Sequence, residues 1–207
     1  TLMRAVPLMF TGLAAAVAFK ARLFSIGAEG QLYGGAMAAV AVGGIAAGGE
    51  LFAPTWVVFP LMLLAAALVG ALLLLGPAVL KLRFGVDEVV TTLLMNFIVL
   101  LGVSALLDGP MKDTAAMGWP QSMALASDLE LWRPIQGLRL HSGIFMAICL
   151  AVILWLVFKH AVLGFDIRAT GANARAAIFA GVPAFRTNLM VALMSGALAG
   201  LAGGIEV

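Results

Sequence analysis

Charge is what this sequence has least of: 12 Lys and Arg and 10 Asp and Glu in 207 residues, 11% in all, against 63% hydrophobic. That balance, with a mean hydropathy of +1.12, lies outside the range of soluble domains and reads as an integral membrane protein. Cysteine occurs once, as Cys149 in the apolar run "AICLAV", so no disulfide framework is available and an inert packed thiol is expected. The two histidines, His141 and His160, sit at opposite ends of one apolar segment and read as interfacial residues, not as a base or a ligand pair. No Gly-x-x-x-x-Gly-Lys-Ser/Thr loop is present, which excludes ATP binding of the usual kind within this chain. His-Glu-x-x-His and Gly-x-Ser-x-Gly are also missing, so no catalytic residue and no metal site is assigned. A net charge of +2 is too small for a nucleic-acid partner, and no secretory signal pattern is visible.

What is there is apolar sequence cut into lengths suited to a bilayer, whose core of about 30 Å takes roughly 20 helical residues. Six candidate spans emerge. Thr55–Gly76, Val89–Leu107, Gly143–Phe158 and Thr187–Ile205 carry no Asp, Glu, Lys or Arg; Val6–Phe19 is short, and Leu32–Gly48 is rich in Gly and Ala, as a closely packed helix would be. The fold class is therefore all-α, a polytopic helix bundle forming one transmembrane domain over residues 1–207. The first residue is not Met and the last lie inside an apolar run, "GGIEV", so the chain reads as an internal piece of a longer protein, cut at both ends.

Basic residues recur in alternate connections: Lys20 and Arg22, then Lys81 and Arg83, then Lys159, Arg168, Arg175 and Arg186. The positive-inside rule puts these three on the cytoplasmic face. The intervening link "GGELFAP" carries only Glu50. A long external loop, residues 108–142, balances Lys112, Arg133 and Arg139 against Asp108, Asp113, Asp128 and Glu130, with Pro110, Pro120 and Pro134, and Trp119 and Trp132 as interface anchors.

Polar residues inside spans are costly unless they face the bundle interior or water. Glu88, Thr92 and Asn96 recur at i, i+4 and i+8, one line on one helix face. Glu88, near Lys81 and Arg83, suits an interfacial ion pair. Thr92 and Asn96 are either lining of a transport path or bonds that hold the helix and its neighbours. In the last span Gly196-x-x-x-Gly200, followed by Gly203, permits backbone-to-backbone packing, within the subunit or against a second one.

The cytoplasmic loop 159–186 has internal order. Asn173 is a good N-cap for a short helix over Ala174–Ala180, Gly181 suits the left-handed position that ends it, and Pro183 prevents continuation. Ala176, Ala177, Phe179 and Ala180 are read as its surface, too small an apolar face for strong lipid binding and better suited to protein docking.

These residues carry a resemblance. "GFDIRATGANARAAIFAGVPAFRTNLMVALMSGALAGLAGGIEV" resembles the coupling-loop region of permease subunits of bacterial ABC importers, in the branched-chain amino acid and ribose permease superfamily. It is most similar to the nucleoside and simple-sugar branch. "VPLMFTGLAAAVAFKARLFSIGAEGQLYGGAMA" and "GVDEVVTTLLMNFI" resemble two further stretches of that family, in the same order, so the likeness covers nearly the whole chain. Arg175, Ala174 and Ser25 depart from the family's frequent Glu, Pro and Asn. The resemblance implies an ATP-driven importer of small polar solutes in the bacterial inner membrane, working by alternating access. It implies no cofactor in this chain, ATP being bound by ABC ATPase subunits docked on Gly171, Asn173, Arg175, Ala176, Ala177, Phe179 and Gly181. A second permease subunit, an external solute-binding protein and the lipid bilayer are the other implied partners. An ion-coupled secondary transporter or channel is the competing class, but it has no use for a projecting Ala-Ala-x-x-x-Gly helix.

One stretch stays open. In "FSIGAEGQLYGG", Phe24–Gly35, Gly27 and Gly30 can break a helix and Gln31 onward restarts one, so Glu29 lies at a helix N-terminus, where negative charge is favoured. Either this is a cytoplasmic turn, or it is the break of a discontinuous helix that dips toward the permeation path and offers Glu29 and Gln31 to substrate.

Overall fold

A computed structural model describes residues 5–44, 54–109, 111–112, 121–122, 125, 129 and 142–207. The described residues form eight helices: α1 (Ala5–Lys20), α2 (Ala28–Gly44), α3 (Thr55–Phe84), α4 (Glu88–Asp108), α5 (Gly143–His160), α6 (Val162–Ala172), α7 (Ala174–Phe179) and α8 (Ala184–Glu206). Their only β-feature is an isolated antiparallel bridge between Lys112 and Ser122. The expectations for Glu50 and for most of the loop 108–142, with its three prolines, Trp119, Trp132 and His141, fall outside the described residues.

Four helices, α3, α4, α5 and α8, are long and apolar enough to cross a membrane. The six expected spans thus comprise four that qualify alone and two shorter helices, α1 with 16 residues and α2 with 17. The expected end of α3 at Gly76 is corrected. The helix runs on through a buried Pro77 and takes in Lys81 and Arg83, 30 residues in all. A proline removes one backbone hydrogen bond but is tolerated where neighbouring helices shelter the freed carbonyl. At ~1.5 Å per residue α3 is about 45 Å long, so its basic last turns overrun a ~30 Å hydrocarbon layer.

Helix ends follow local chemistry. Gly85 closes α3 in the left-handed region, φ 69°, its N–H donating to Lys81 O at 2.9 Å. At the end of α1, Leu23 N–H donates to Ala18 O and Arg22 N–H to Phe19 O, a double closure that puts Arg22 at φ 55°. A side chain there costs about 1–2 kcal/mol relative to glycine. Two contacts offset it: Leu23 is buried, and Lys81 Nζ donates to Arg22 O at 2.9 Å.

α8 is the axis of the bundle. A Cβ on Gly196 would collide with Gly70 O, one on Gly200 with Ala66 O, and one on Gly203 with Leu32 O; Gly35 and Gly70 would in turn strike the backbone at Gly200. α2 and α3 therefore touch α8 main chain to main chain, the arrangement that replaces hydrophobic association where the surroundings are as apolar as the helices. α1 joins the same axis through Ser195 Oγ, which donates to Ala14 O at 2.8 Å, and through Val6 and Phe10 packed near Ala202 and Ile205. These pairings make α1 and α3 antiparallel to α8. α2 is antiparallel to α3, with Gly34 beside Val69 and Leu73, and Gly43 beside Met62.

As a result the three basic connections meet at one end. Lys81 reaches Arg22, and the α6 backbone at Gly171 lies against Lys20 O, where no side chain would fit. Positive charge gathered at one end is the arrangement the positive-inside rule requires.

Gly200→Val is expected to destabilise the solubilised protein by about 1–3 kcal/mol through overpacking. Gly102→Ala, on the open side of α4 with nothing within 4 Å, is the matched control. Thermal unfolding in detergent reads the difference, and equal stability of the two variants would contradict the α8 axis.

Candidate functional site

The stretch between α1 and α2 is fastened to α4. Phe24 N–H donates to Glu88 Oε1 at 3.2 Å, Ile26 N–H to Thr92 Oγ1 at 3.2 Å and Gly30 N–H to Asn96 Oδ1 at 2.9 Å. Asn96 Nδ2 returns a bond to Ile26 O at 3.0 Å. Thus each member of the i, i+4, i+8 line takes one backbone N–H of the connecting segment, and they do so in order. Glycine is needed at Gly30, where a Cβ would lie 2.7 Å from Asn96 Oδ1, and a Cβ on Gly27 would be tight, 3.1 Å from Thr92 Cβ. Thr92 also donates to Glu88 O in its own helix at 2.7 Å.

Charge completes the fastening. Lys81 Nζ, at the end of α3, pairs with Glu88 Oε1 and also donates to Arg22 O, so one ammonium bridges α3, α4 and the connection after α1. A cleft of about 530 Å³, lined by Phe24, Lys81 and residues 85–89, opens beside this pair. Glu88, Thr92 and Asn96 are the only buried residues of α4; Val90, Leu94, Phe97, Ile98 and Leu101 point outward.

The open question about Phe24–Gly35 is narrowed by this geometry. α1 and α2 run in opposite directions, so the segment is a helix-to-helix turn, and a single discontinuous helix is not what joins them. The turn nevertheless reaches past two turns of α4, from Glu88 to Asn96, about 12 Å at ~1.5 Å per residue. Of the two path candidates in it, Glu29 is exposed in the first turn of α2, and Gln31 is buried beside Gly27. Asn96 spends both polar atoms on the turn, and Thr92 Oγ1 accepts from the turn while donating to its own helix.

The loop 159–186 holds two helices, not one. α6 was not foreseen; its Gly164 packs against the backbone at Val157 and Phe158, which folds it back on α5. Asn173 separates α6 from α7, its Oδ1 accepting from Arg175 N–H at 3.1 Å and Ala176 N–H at 3.2 Å. Gly181, at φ 87°, ends α7, with its own N–H on Ile178 O and Val182 N–H on Ala177 O.

Two of the residues assigned to a docking surface are not on one. Gly171 is buried against Lys20 O, and Ala177 is 4% exposed, because α7 lays that side on its own chain. Asn173, Arg175, Ala176 and Gly181 are exposed, and Phe179 is 93% exposed. Ile178, overlooked in the sequence, is exposed beside Phe179. Gly196, Gly200 and Gly203 pack within this chain, on α2 and α3.

The described residues thus form an all-helical bundle whose three basic connections meet at one end, where the six-residue α7 leaves Ile178 and Phe179 exposed. The whole sequence, residues 1–207, matches the family described as branched-chain amino acid transport system / permease component, and the chain belongs to that family. It is 39% identical to the guanosine ABC transporter permease protein NupP of Bacillus subtilis over 208 residues, 100% of this chain and 58% of that protein. It is 37% identical to the glucose ABC transporter permease protein TsgB13 of Haloferax volcanii, covering 55% of it. With the nucleoside ABC transporter permease protein NupB of Lactococcus lactis the figures are 30% identity over 95% of this chain and 55% of that protein. The chain thus spans a little over half the length of these relatives. No solved structure matches it. Membership of this family and four apolar helices of spanning length define part of a multi-pass cytoplasmic-membrane protein.

Asn96→Leu is expected to lower stability by about 1–3 kcal/mol for each partner left unbonded at Ile26 and Gly30. Phe97→Leu, on the outward face, should stay within about 1 kcal/mol of wild type. Thermal unfolding in detergent measures both, and an undisturbed Asn96→Leu protein would show that the turn does not depend on α4.

Proposed function

We propose that this chain is the membrane core of an ATP-driven importer of small polar solutes, nucleosides or simple sugars, working by alternating access. The observation that carries the reading is α7: a six-residue helix fixed at both ends, by Asn173 and Gly181, with Ile178 and Phe179 unburied, in a permease-family chain. The solute class rests on relatives whose names specify guanosine, glucose and nucleoside transport.

In this reading residues 1–207 are one transmembrane domain in which α1 and α2 complete six spans. Residues 108–142 face outward, toward a solute-binding protein, and residues 159–186 face the cytoplasm. The chain carries no cofactor and performs no catalysis; partner ABC ATPases bind ATP and seat Arg175, Ala176, Ile178 and Phe179. A second permease subunit completes the path.

A mechanical route follows from the contacts. Movement of α7 is passed to α6 through Asn173, and α6 bears on α1 where Gly171 meets the Lys20 carbonyl. The next residues of α1's exit are held by Lys81 and then by Glu88, Thr92 and Asn96 of α4. A push on α7 can therefore reach α4 through α6 and α1, while α6 and α7 also bear directly on α8. Glu29 and Gln31, at the head of α2, lie on the moving turn and are proposed to meet solute during the change of state.

Phe179→Asp leaves Ala177 and the α7 fold in place, so it is the clean test of docking, whereas Ala177→Asp would bury a charge. The expected result is normal membrane insertion and thermal stability, with ATPase co-purification and solute uptake down roughly 30-fold or more, as for loss of an interface hot spot. Full ATP-driven uptake by Phe179→Asp would remove the assignment. Gly171→Val is expected to leave ATPase binding intact but to sever hydrolysis from uptake, read as ATP turnover without transport in proteoliposomes.

A further inference from the structure

Where α1, α5 and α6 meet, cations gather around aromatic rings and not around carboxylates. Lys20 Nζ lies 4.7 Å from the centroid of the Phe158 ring, and Lys159 Nζ lies 4.7 Å from that of Trp155. Arg168 donates through Nη1 to the carbonyl of the same Phe158. The ring of His160 meets Trp155 edge-on at 6.3 Å. Three helices, α1, α5 and α6, thus bring three positive charges to the last turn of α5, residues 155–159.

Among the described residues none of the three forms an ion pair. The sole ion pair among the described residues is Lys81 with Glu88, on α3 and α4. The nearest acid in sequence, Asp166, precedes Arg168 by two residues, about 200° round the helix, and pairs with none of them. Helix C-terminal dipoles account for Lys159, in the last turn of α5, and for Lys20, in the last turn of α1, but not for Arg168, which lies within α6. Like charges held together at a membrane surface attract anions from outside the chain.

The shape of α5 says what kind of anion. Phe145, Ile148, Val152 and Trp155 are all exposed and recur at i, i+3, i+7 and i+10, and Lys159 follows four residues later. They form one apolar stripe of about 21 Å from Phe145 to Lys159 at ~1.5 Å per residue, ending at the cations. A Trp at the end of such a stripe marks headgroup depth. A free phosphate would use the cations and ignore the stripe; a phospholipid uses both, with its acyl chain along α5 and its phosphate on Lys20, Lys159 and Arg168.

We infer that this corner of the bundle is a binding site for an anionic phospholipid of the cytoplasmic leaflet. It stands apart from α7 and does not depend on the transport reading. The test uses the complete transporter purified with its partner subunits in mild detergent, incubated with phosphatidylglycerol or phosphatidylcholine and examined by native mass spectrometry.

Wild type is expected to retain phosphatidylglycerol in preference to phosphatidylcholine, and inorganic phosphate should not displace it. Lys20→Gln/Lys159→Gln/Arg168→Gln should weaken phosphatidylglycerol retention roughly 100-fold, three basic contacts to an anionic surface being lost together. The charge-preserving Lys20→Arg/Lys159→Arg variant should keep it, which serves as the control if the triple variant folds poorly. Trp155→Ala should shorten retention of both lipids. Equal retention of the two lipids by wild type, displacement by phosphate, or undiminished retention by a Lys159→Glu variant would each overturn the site. So would a cross-link from residue 155 to a second permease copy at full yield in lipid, since the stripe would then be a subunit interface.

Discussion

Main chain lies against main chain around α8, and the rest of the bundle is arranged by that fact. In a medium as apolar as leucine there is no hydrophobic gain in bringing two leucine faces together, so helices adhere where atoms approach closely or where hydrogen bonds form. α8 offers the first through Gly196, Gly200 and Gly203, which accept α3 on one side and α2 on the other. Ser195 adds the second, with a bond to the α1 backbone. Once α1, α2 and α3 are fixed on this axis, their ends are fixed too: Lys81 comes within reach of Arg22, and the turn after α1 is delivered to the face of α4 that can hold it.

The same economy of contact explains why conformational strain gathers at that end. Arg22 takes a left-handed conformation usually left to glycine, while Gly27 and Gly30, a few residues on, give up side chains so that the segment can lie on Thr92 and Asn96. A segment held by side chains of another helix, and not by a regular ladder of its own, keeps its shape only as long as that helix stays. Structure and proposed mechanism meet here, because α6 touches the segment's start through the Lys20 carbonyl.

Much of this was legible in the residues. Apolar length and charged punctuation located the long spans, since those depend on the bilayer's thickness and not on partners. The cap at Asn173 and the left-handed stop at Gly181 were readable because each is set by three or four neighbouring residues. The line of Glu88, Thr92 and Asn96 was readable as a line, but its partners lie 64 to 70 residues away, and nothing local announces them. α6 escaped notice because "VLGFDIRATGA" has too mixed a pattern to declare a helix; it is folding back on α5 at Gly164 that makes it one. Ala177 and Gly171 were misplaced for a related reason: small residues serve surface docking and internal contact equally well, and only the neighbours distinguish them.

The attachment of α4 has a dynamic meaning of its own. Its largest exposed side chains face outward, and of its apolar residues only Met95, Val99 and their half-buried neighbours touch α2 and α3, so a swing away from the bundle would move less apolar surface than for the other long helices. What changes is a short row of polar bonds, made and broken one beside the next. Such a helix resembles a leaf on three pins more than a block set in mortar: its position is defined by three separate polar contacts, from the Lys81-paired Glu88 at one end to the buried Asn96 at the other.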